Sequence, residues 1–223
     1  NRNIVTLEDP VEFHLPGVNQ VQVDPKIGIT FASGLRAILR QDANILMVGE
    51  IRDSETAQTA VRAANTGHLL MCSMHTNNAV SAITALQHLG IVPFQIATSL
   101  QGIIAQRLVR TLCPDCKRQV KPKALAREML QLSTKDKIYE AVGCNACFGT
   151  GYRGRTGIQE VLKVSDRIQE AIVHGASEIE IEKIALEEGM TPLARSGAEK
   201  VIAGVTSFEE LSRVIVLQQE TKA

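Results

Sequence analysis

Short apolar runs alternate with longer segments of helical periodicity along the first hundred residues. The apolar runs have the length of buried strands, and turn or capping residues follow them. They comprise Ile4–Leu7, Asn44–Val48 and His68–Met74. Strands that alternate with helices of this length build sheets with parallel crossover connections. The pattern therefore predicts an α/β fold.

Helical segments with polar N-capping residues separate these strands. The predicted helices are Phe31–Arg40 after Thr30, a segment from Asp53 or Ser54 to Asn65, a segment from Asn77 or Asn78 to Leu89, and Phe94–Ile104. Residues 11–23 contain two turn signals, and they form either a hairpin or a loop excursion.

The chain changes character after residue 110, where cysteines, prolines and basic residues become frequent. A helix is predicted near Ala124–Leu132 and a strand at Ile158–Val164. We expect this strand to return to the core formed by the first hundred residues. From Asp166 onward the pattern predicts four short helices, separated by glycine stop signals.

Four of the five cysteines form two Cys-x-x-Cys pairs. The pairs are Cys113 with Cys116 and Cys144 with Cys147, and residues 117–143 separate them. Two such turns provide four thiolates for one tetrahedral ion, which favours a structural Zn²⁺ site over an iron–sulfur cluster, a redox dithiol or two disulfides. The fifth, Cys72, lies in an apolar run and is interpreted as a small core residue.

The balance of charged residues indicates whether the chain is suited to bind nucleic acid. Lys+Arg and Asp+Glu both number 24, so the formal net charge is zero, and the chain has no Trp, two Tyr and five Phe. Nucleic-acid-binding proteins usually carry a basic excess and, for single strands, exposed aromatic residues. Direct nucleic-acid binding is therefore not expected. No apolar stretch in the sequence reaches the length of a membrane span.

Polar clusters follow each predicted strand, at the edge where parallel sheets bind ligands. The first contains Glu8, Asp9 and Glu12, which either hold a metal or polarised water or form an ordinary acidic loop. The second is Gly49-Glu50 after a buried strand, where an acid either orients water or a magnesium shell beside phosphates or merely caps the next helix.

Two histidines, His68 and His75, bracket the third strand. His75 lies at its carboxyl end and is either structural or in contact with a terminal phosphate. Arg36 and Arg40 stand four residues apart on one predicted helix. They reach phosphate groups or an acidic neighbour, or they belong to a solvated helix face.

These segments occur in an order that resembles one known family. The matching segments are Thr6–Glu12 for its aspartate box, Val48–Asp53 for its Walker B motif, Thr66–Thr76 for its histidine box, and Ala105–Arg110 leading into Cys113 for its tetracysteine module. The chain thus resembles the type II secretion and type IV pilus assembly ATPases, members of a secretion superfamily of hexameric ATPases. Pilus-retraction ATPases of that superfamily generally lack the tetracysteine module, so the resemblance favours assembly or secretion.

The resemblance implies a RecA-like sheet with flanking helices, an inserted tetracysteine zinc module and a C-terminal helical subdomain. The corresponding division is 1–110, 111–154 and 155–223. The implied catalytic residues are Glu50, Glu8, Glu12 and His75, and the implied nucleotide-binding residues are Asp9, Arg36, Arg40 and His68. ATP and Mg²⁺ are the implied ligands of the full-length protein.

The resemblance also implies partners and a location. A homo-hexamer would act on an inner-membrane platform protein and bind a cytoplasmic or membrane adaptor. The location would be the cytoplasm, at the periphery of the inner membrane.

One motif of the family is missing from these 223 residues, which contain no G-x-x-x-x-G-K-[ST] phosphate-binding loop. In the family that loop precedes the aspartate box, so we expect it upstream of Asn1 in a longer protein and regard the core as incomplete. Without its backbone cradle and lysine, this chain alone is expected to bind ATP poorly and to hydrolyse it negligibly.

Two further classes of function remain open from the residues alone. A nucleic-acid-dependent RecA-like motor is the first, since RecA-like cores and zinc modules also occur in proteins that bind nucleic acid. The second is a zinc-ribbon interaction module without catalysis of its own.

Overall fold

In the computed structural model, which describes residues 2–133 and 135–220, the chain forms eight strands and nine α-helices. The strands are β1 (Ile4–Glu8), β2 (Asn19–Gln22), β3 (Ile45–Val48), β4 (Leu69–Cys72), β5 (Gly102–Leu112), β6 (Arg118–Val120), β7 (Ile138–Glu140) and β8 (Tyr152–Lys163). The helices are α1 (Phe31–Ile38), α2 (Ser54–Asn65), α3 (Ser81–His88), α4 (Pro93–Ser99), α5 (Ala124–Leu130), α6 (Asp166–Val173), α7 (Glu178–Glu187), α8 (Leu193–Ile202) and α9 (Phe208–Glu220).

The described residues divide into two compact units. The first takes up Asn1–Thr76, Val80–Ile103 and Lys163–Ala185, and the second takes up Asn77–Ala79, Ile104–Leu162 and Leu186–Ala223, each without the residues outside the described ranges. The division into 1–110, 111–154 and 155–223 follows different boundaries and stays a prediction.

The first unit is built on a parallel sheet in the order β2-β1-β3-β4. Its central strands β1 and β3 bury Leu7, Leu46 and Val48 almost completely, as expected for a parallel sheet covered by helices. Helix α1 packs close to β1 because Gly34 has no side chain, and a Cβ there would lie 2.6 Å from Leu7 Cδ2. The predicted α/β fold with a parallel sheet is thus confirmed.

The second unit contains the β5–β8 pair, the antiparallel β6–β7 pair and helices α5, α8 and α9. A buried carboxylate, Glu210, joins β5 to α9: it accepts hydrogen bonds from Arg110 on β5 and from Arg213 one turn further along α9. Arg110 also lies over the ring of Tyr152, 4.1 Å from its centroid. Within the described part of the chain, no helix is long and apolar enough to cross a membrane.

Of the two alternatives for residues 11–23, the hairpin is excluded, because β2 lies parallel to β1. The structure also corrects two predicted helices. The helix predicted at Phe94–Ile104 ends at Ser99, and residues 102–112 form β5 instead. The helix predicted from Asn77 or Asn78 begins at Ser81. The strand predicted at Ile158–Val164 forms as part of β8 and pairs with β5. Its return to the core formed by the first hundred residues stays a prediction.

Cys72 is exposed, so its interpretation as a core residue was wrong. The physical reason is the position of β4 at one end of the four-stranded sheet, where Leu69 and Met71 are also about half exposed. An apolar strand sequence predicts burial on average, but it does not show which strand forms the edge.

Candidate functional site

Three parallel strands end together at the carboxyl edge of the four-stranded sheet. The register pairs Leu7 with Val48 and Val48 with Cys72, so β1, β3 and β4 finish level with one another. The polar segments that follow them therefore leave the sheet at the same edge. Ligands of parallel sheets bind at this edge.

The backbone on both sides of Glu50 is held by hydrogen bonds. The Gly49 N–H donates to the Leu7 carbonyl at 2.7 Å, and the Ile51 N–H donates to the Ser73 carbonyl at 3.0 Å. The Ser73 hydroxyl donates to the Gly49 carbonyl. Because these bonds tie the backbone around Glu50 to β1 and to the segment that follows β4, its side chain projects from a fixed point.

Gly49 is required by its surroundings and not by its backbone angles. A Cβ at this position would lie 3.1 Å from the Leu7 carbonyl oxygen and 3.5 Å from both Glu8 Cα and a ring carbon of Phe31. The first of these distances is shorter than ordinary van der Waals contact with a backbone atom that cannot easily move. The glycine lets β1 and β3 stay close where Glu50 begins.

The Glu50 carboxylate has two charged or polar partners, and the Glu50 side chain is only 12% exposed. Its Oε1 atom forms an ion pair with Arg52, and its Oε2 atom lies 3.1 Å from Nε2 of His75. The hydrogen bond from Arg52 lowers the pKa of Glu50 below its usual value, against an opposing effect of burial, and His75 lowers it further. Glu50 is thus ionised at neutral pH, as a residue that orients water or a magnesium shell must be.

Glu8 lies at the end of β1, on the strand next to that of Glu50. Its Oε1 atom accepts hydrogen bonds from the Thr6 hydroxyl at 2.5 Å and from Gln20 Nε2 at 2.9 Å. The carboxylate is therefore oriented from β1 and β2. Asp9 and Glu12 lie in the loop beyond it and are exposed.

The two arginines of α1 lie on an exposed helix surface. Arg36 forms an ion pair with Glu55 on α2, and Arg40 is exposed one turn later. Asp53 accepts the Thr56 N–H at 2.8 Å and caps α2, and this bond lowers the pKa of its carboxyl. The interpretation of Asp53 as a helix cap is confirmed.

The structure separates the two histidines that bracket β4. His68 precedes the strand, and its Nδ1 atom lies 3.1 Å from the Ala63 carbonyl at the end of α2. His75 follows the strand and meets Glu50. A four-residue strand is about 13 Å long, so the two rings belong to opposite edges of the sheet. The proposed role of His68 at a nucleotide stays a prediction.

The four paired cysteines form one cluster in the second unit. Their Sγ atoms all lie within 4.8 Å of one another, with 3.9 Å between Cys113 and Cys144, 3.8 Å between Cys116 and Cys147, and 3.8 Å between Cys144 and Cys147. A Zn–S bond of about 2.3 Å sets the sulfurs of a tetrahedral site about 3.8 Å apart. The cluster therefore has the size of a site for a single tetrahedral ion.

Backbone N–H groups surround these sulfurs. Cys147 Sγ accepts the N–H groups of Cys144 at 3.2 Å and of Gly151 at 3.1 Å. Burial raises the pKa of the Cys147 thiol, but these two hydrogen bonds outweigh it and lower that pKa to about 6. Burial raises the pKa of the Cys116 thiol to about 12. Such donors stabilise the thiolate form that a metal requires. Gly143, at φ 112°, brings the chain so close to the Gly149 carbonyl that a Cβ would lie 2.4 Å from it.

Two contributors to the site at the sheet edge were not predicted. Arg52 lies two residues after Glu50 and forms an ion pair with it. This spacing in the sequence could have indicated the contact. Gln20 gave no signal in the sequence, because its contact with Glu8 depends on the parallel pairing of β2 with β1.

The family model described as "Type II/IV secretion system protein" matches residues 1–213. The chain belongs to this family. Curated relatives include the type II secretion system ATPase E of Vibrio cholerae, 52% identical over 216 residues, and the type II secretion system protein E of Dickeya dadantii, 50% identical over 216 residues. The type IV pilus assembly ATPase PilB of Thermus thermophilus is 50% identical over 220 residues. The matches cover 96% of this chain but only 42%, 43% and 25% of these relatives.

Two solved structures have a similar fold. The pilus retraction motor PilT with bound ADP matches with a TM-score of 0.69 and 26% identity over 96% of this chain and 52% of its own. The Legionella pneumophila ATPase DotB matches with a TM-score of 0.67 at 22% identity, covering 97% of this chain and 52% of its own, and shows likeness of fold alone.

Proposed function

We propose that the protein containing this chain is an ATPase that uses ATP hydrolysis to drive assembly of a type II secretion pseudopilus or a type IV pilus. The contact between Glu50 and His75 at the carboxyl edge of the parallel sheet carries this proposal. It unites the Walker B-like strand end with the histidine segment in one site. The names of the relatives, secretion and pilus-assembly ATPases, support the same function.

In this proposal Glu50 is the principal catalytic group. Its ionised carboxylate orients the attacking water or a water of the magnesium shell, and His75 contacts the terminal phosphate from the next strand. Bound Mg²⁺ would neutralise charge on the phosphates. Glu8 and Glu12 assist with water or magnesium, and Asp9, Arg36 and Arg40 are assigned to nucleotide binding. The nucleotide contact proposed for His68 would not lie at this edge, because His68 precedes β4. The phosphate-binding loop, which these 223 residues lack, would come from upstream in the longer protein.

The cysteine cluster is proposed to bind one structural Zn²⁺ through Cys113, Cys116, Cys144 and Cys147. Its support is the spacing of the sulfurs, which fits a tetrahedral thiolate site. Four protein ligands leave no open position, so the ion would stabilise the second unit and take no part in hydrolysis. We retain the assignment of residues 111–154 as a zinc module within this proposal.

The proposed assembly is a homo-hexamer at the cytoplasmic periphery of the inner membrane. It would act on a platform protein of that membrane and bind an adaptor of the same machine. The relatives named for type II secretion and type IV pilus systems support this placement.

Two preparations test the function: the full-length protein and a chain of these 223 residues. We expect magnesium-dependent ATP hydrolysis by the full-length protein, and negligible hydrolysis with weak binding of a fluorescent ATP analogue by the shorter chain. Equal affinity in both preparations would contradict the assignment of phosphate binding to the upstream region. Absence of hydrolysis unless DNA or RNA is added would favour the nucleic-acid-dependent motor instead.

A further inference from the structure

The α8–α9 turn, residues 203–207, is largely buried, although turns usually lie on the surface. Gly204, Thr206 and Ser207 are all buried, and Thr206 has no exposed surface. Buried backbone carbonyls and hydroxyl groups need hydrogen-bond partners from the protein. Several of these partners lie directly beside the paired cysteines, in the same compact unit as the turn.

Two hydrogen bonds join the α8–α9 turn to the chain on either side of the first cysteine pair. The N–H of Leu112, one residue before that pair, donates to the Val205 carbonyl at 2.9 Å. Nζ of Lys117, one residue after that pair, donates to the Gly204 carbonyl at 2.9 Å. The segment that carries the first two sulfurs is therefore held to the turn at both of its ends.

The second cysteine pair is joined to the same turn through residues 151–152. The Gly151 N–H donates to Cys147 Sγ at 3.1 Å, and the Gly151 carbonyl accepts the Cys113 N–H at 2.9 Å. The hydroxyl oxygen of the next residue, Tyr152, lies 2.7 Å from that of Ser207 in a hydrogen bond. Residues next to both cysteine pairs thus contact the α8–α9 turn.

The contact made by Lys117 involves a helix end and an aromatic ring. Gly204 follows the C-terminal end of α8, where a positive charge is favourable. The Nζ atom also lies 4.8 Å from the centroid of the Tyr139 ring on β7. Gly204 has a φ of 67°, and a Cβ there would lie 2.6 Å from Tyr139 Cδ2. The lysine, the ring and the turn therefore fit together without room for a larger residue at position 204.

We propose that the α8–α9 turn is part of the structure that supports the metal site, and that Lys117 is the positioning residue that couples them. Groups outside the ligand set orient the ligands and so influence the affinity for the ion. Such coupling is reciprocal: if the docked turn raises the affinity of the four cysteines for the ion, the loaded site favours the docked turn by the same factor. This inference rests on the proposed zinc site and extends it to residues that do not touch the ion.

The experiment compares Lys117→Met with Lys121→Met in the full-length protein. Methionine keeps much of the length and apolar volume of lysine but removes the cationic donor. Lys121 is an exposed lysine from the same segment between the two cysteine pairs. Competition with a chromophoric chelator measures the affinity for Zn²⁺, and hydrogen exchange of the amides of residues 203–207 measures docking of the turn. The amides of residues 158–162 are the reference, since they lie about 20 Å or more along β8 from Tyr152.

We expect Lys117→Met to lower the affinity for Zn²⁺ by roughly 10-fold and to speed exchange at residues 203–207. Lys117→Arg keeps a cationic donor and should bind Zn²⁺ within about 3-fold of the wild-type affinity, as should Lys121→Met. Removal of zinc from the wild-type protein should speed exchange at residues 203–207 more than at residues 158–162.

Unchanged affinity in Lys117→Met, or equal acceleration of exchange in the two segments after zinc removal, would overturn the proposal. If Lys117→Met does not fold, Tyr139→Leu takes its place, because it removes the ring that contacts both the lysine and Gly204; an unchanged affinity in that variant overturns the proposal as well. A wild-type protein that binds no zinc would reject the proposed metal site together with this inference. Zinc bound equally well by wild type and Lys117→Met would reject this inference alone.

Discussion

The Nε2 atom of His75 lies 3.1 Å from Oε2 of Glu50, at the ends of two neighbouring parallel strands. These residues are far from one another in sequence, and they meet because β3 and β4 end level. The Glu50 side chain is nearly buried, whereas that of His75 is largely exposed. The acid is therefore held rigidly, and the histidine lies where a ligand can reach it.

Replacement of His75 by alanine in the full-length protein should lower kcat for ATP hydrolysis roughly 10- to 100-fold, since one donor near the developing charge is lost. Steady-state kinetics with Mg-ATP measure this effect. The control is His88→Ala, because His88 is exposed at the end of α3. Equal losses in the two variants would contradict a role for His75 in the site.

Gly49→Ala should lower kcat by about 10-fold, because the new methyl group would press on the Leu7 carbonyl and displace Glu50. The free energy of unfolding should fall by only about 1 kcal/mol, since one tight contact is added. Gly157→Ala is the matched control, because the atoms nearest to its new methyl group belong to the flexible Gln106 side chain, the first of them at 3.4 Å. A fully active Gly49→Ala protein would show that close approach of these strands is unimportant for Glu50.

Cys147→Ser should remove the bound metal, lowering zinc from one ion per chain to nearly none, and should lower the melting temperature. The remaining three thiolates cannot complete a closed tetrahedral site. Cys72→Ser is the control, because Cys72 lies on β4 and is not a member of the cluster. Elemental analysis and thermal unfolding give the two readouts. Zinc content that falls equally in both variants, or in neither, would contradict the assignment of the cluster.

Glu210 should make folding stability depend on pH below about 4.5. Bonds from Arg213 and Arg110 outweigh burial and lower the pKa of its carboxyl from 4.5 to about 2. The unfolded state then takes up the proton first as pH falls. The stabilisation, on the order of 2 kcal/mol, is thus fully present above pH 4.5 and is lost between about pH 4.5 and pH 2.

Urea unfolding of wild type and Glu210→Gln measures that contribution. The difference between the two should be largest at pH 7 and should shrink toward pH 3. Loss of metal at low pH affects both proteins alike, so it does not alter the difference. Glu209→Gln, at the exposed neighbouring position, should follow the wild type at each pH. A gap for Glu210→Gln that stays constant from pH 7 to pH 3 would contradict the lowered pKa.

The sequence predicted the parallel strands and the cysteine pairs well because their signals are local. Apolar runs end at polar residues in β1 and β3, and Asp53 caps α2 as its position indicated. Strand β5 was missed because apolar Ile104 and Leu108 lie on its exposed face while Arg107 lies on the opposite face, which obscures its alternation. In the structure the Arg107 guanidinium donates a hydrogen bond to the Asn77 carbonyl, a partner that a local sequence pattern does not reveal.

Features that depend on the order of the strands in the sheet could not be predicted from the sequence. The exposure of Cys72 follows from the edge position of β4, and the contact of Gln20 with Glu8 follows from the parallel pairing of β2. Glu160 left a recognisable signal, since it occupies an inward position between Ile158 and Leu162 on an alternating strand. The N–H groups that its carboxylate accepts, however, belong to distant segments.

Substitution of Glu50 by glutamine in the full-length protein tests the central claim most directly. The change keeps the shape of the side chain but removes the charge that orients water or the magnesium shell. We predict that kcat for ATP hydrolysis falls roughly 100- to 1,000-fold while binding of the nucleotide persists. Glu170→Gln, at an exposed position on α6, should retain full activity. Hydrolysis by Glu50→Gln at the wild-type rate would contradict the account.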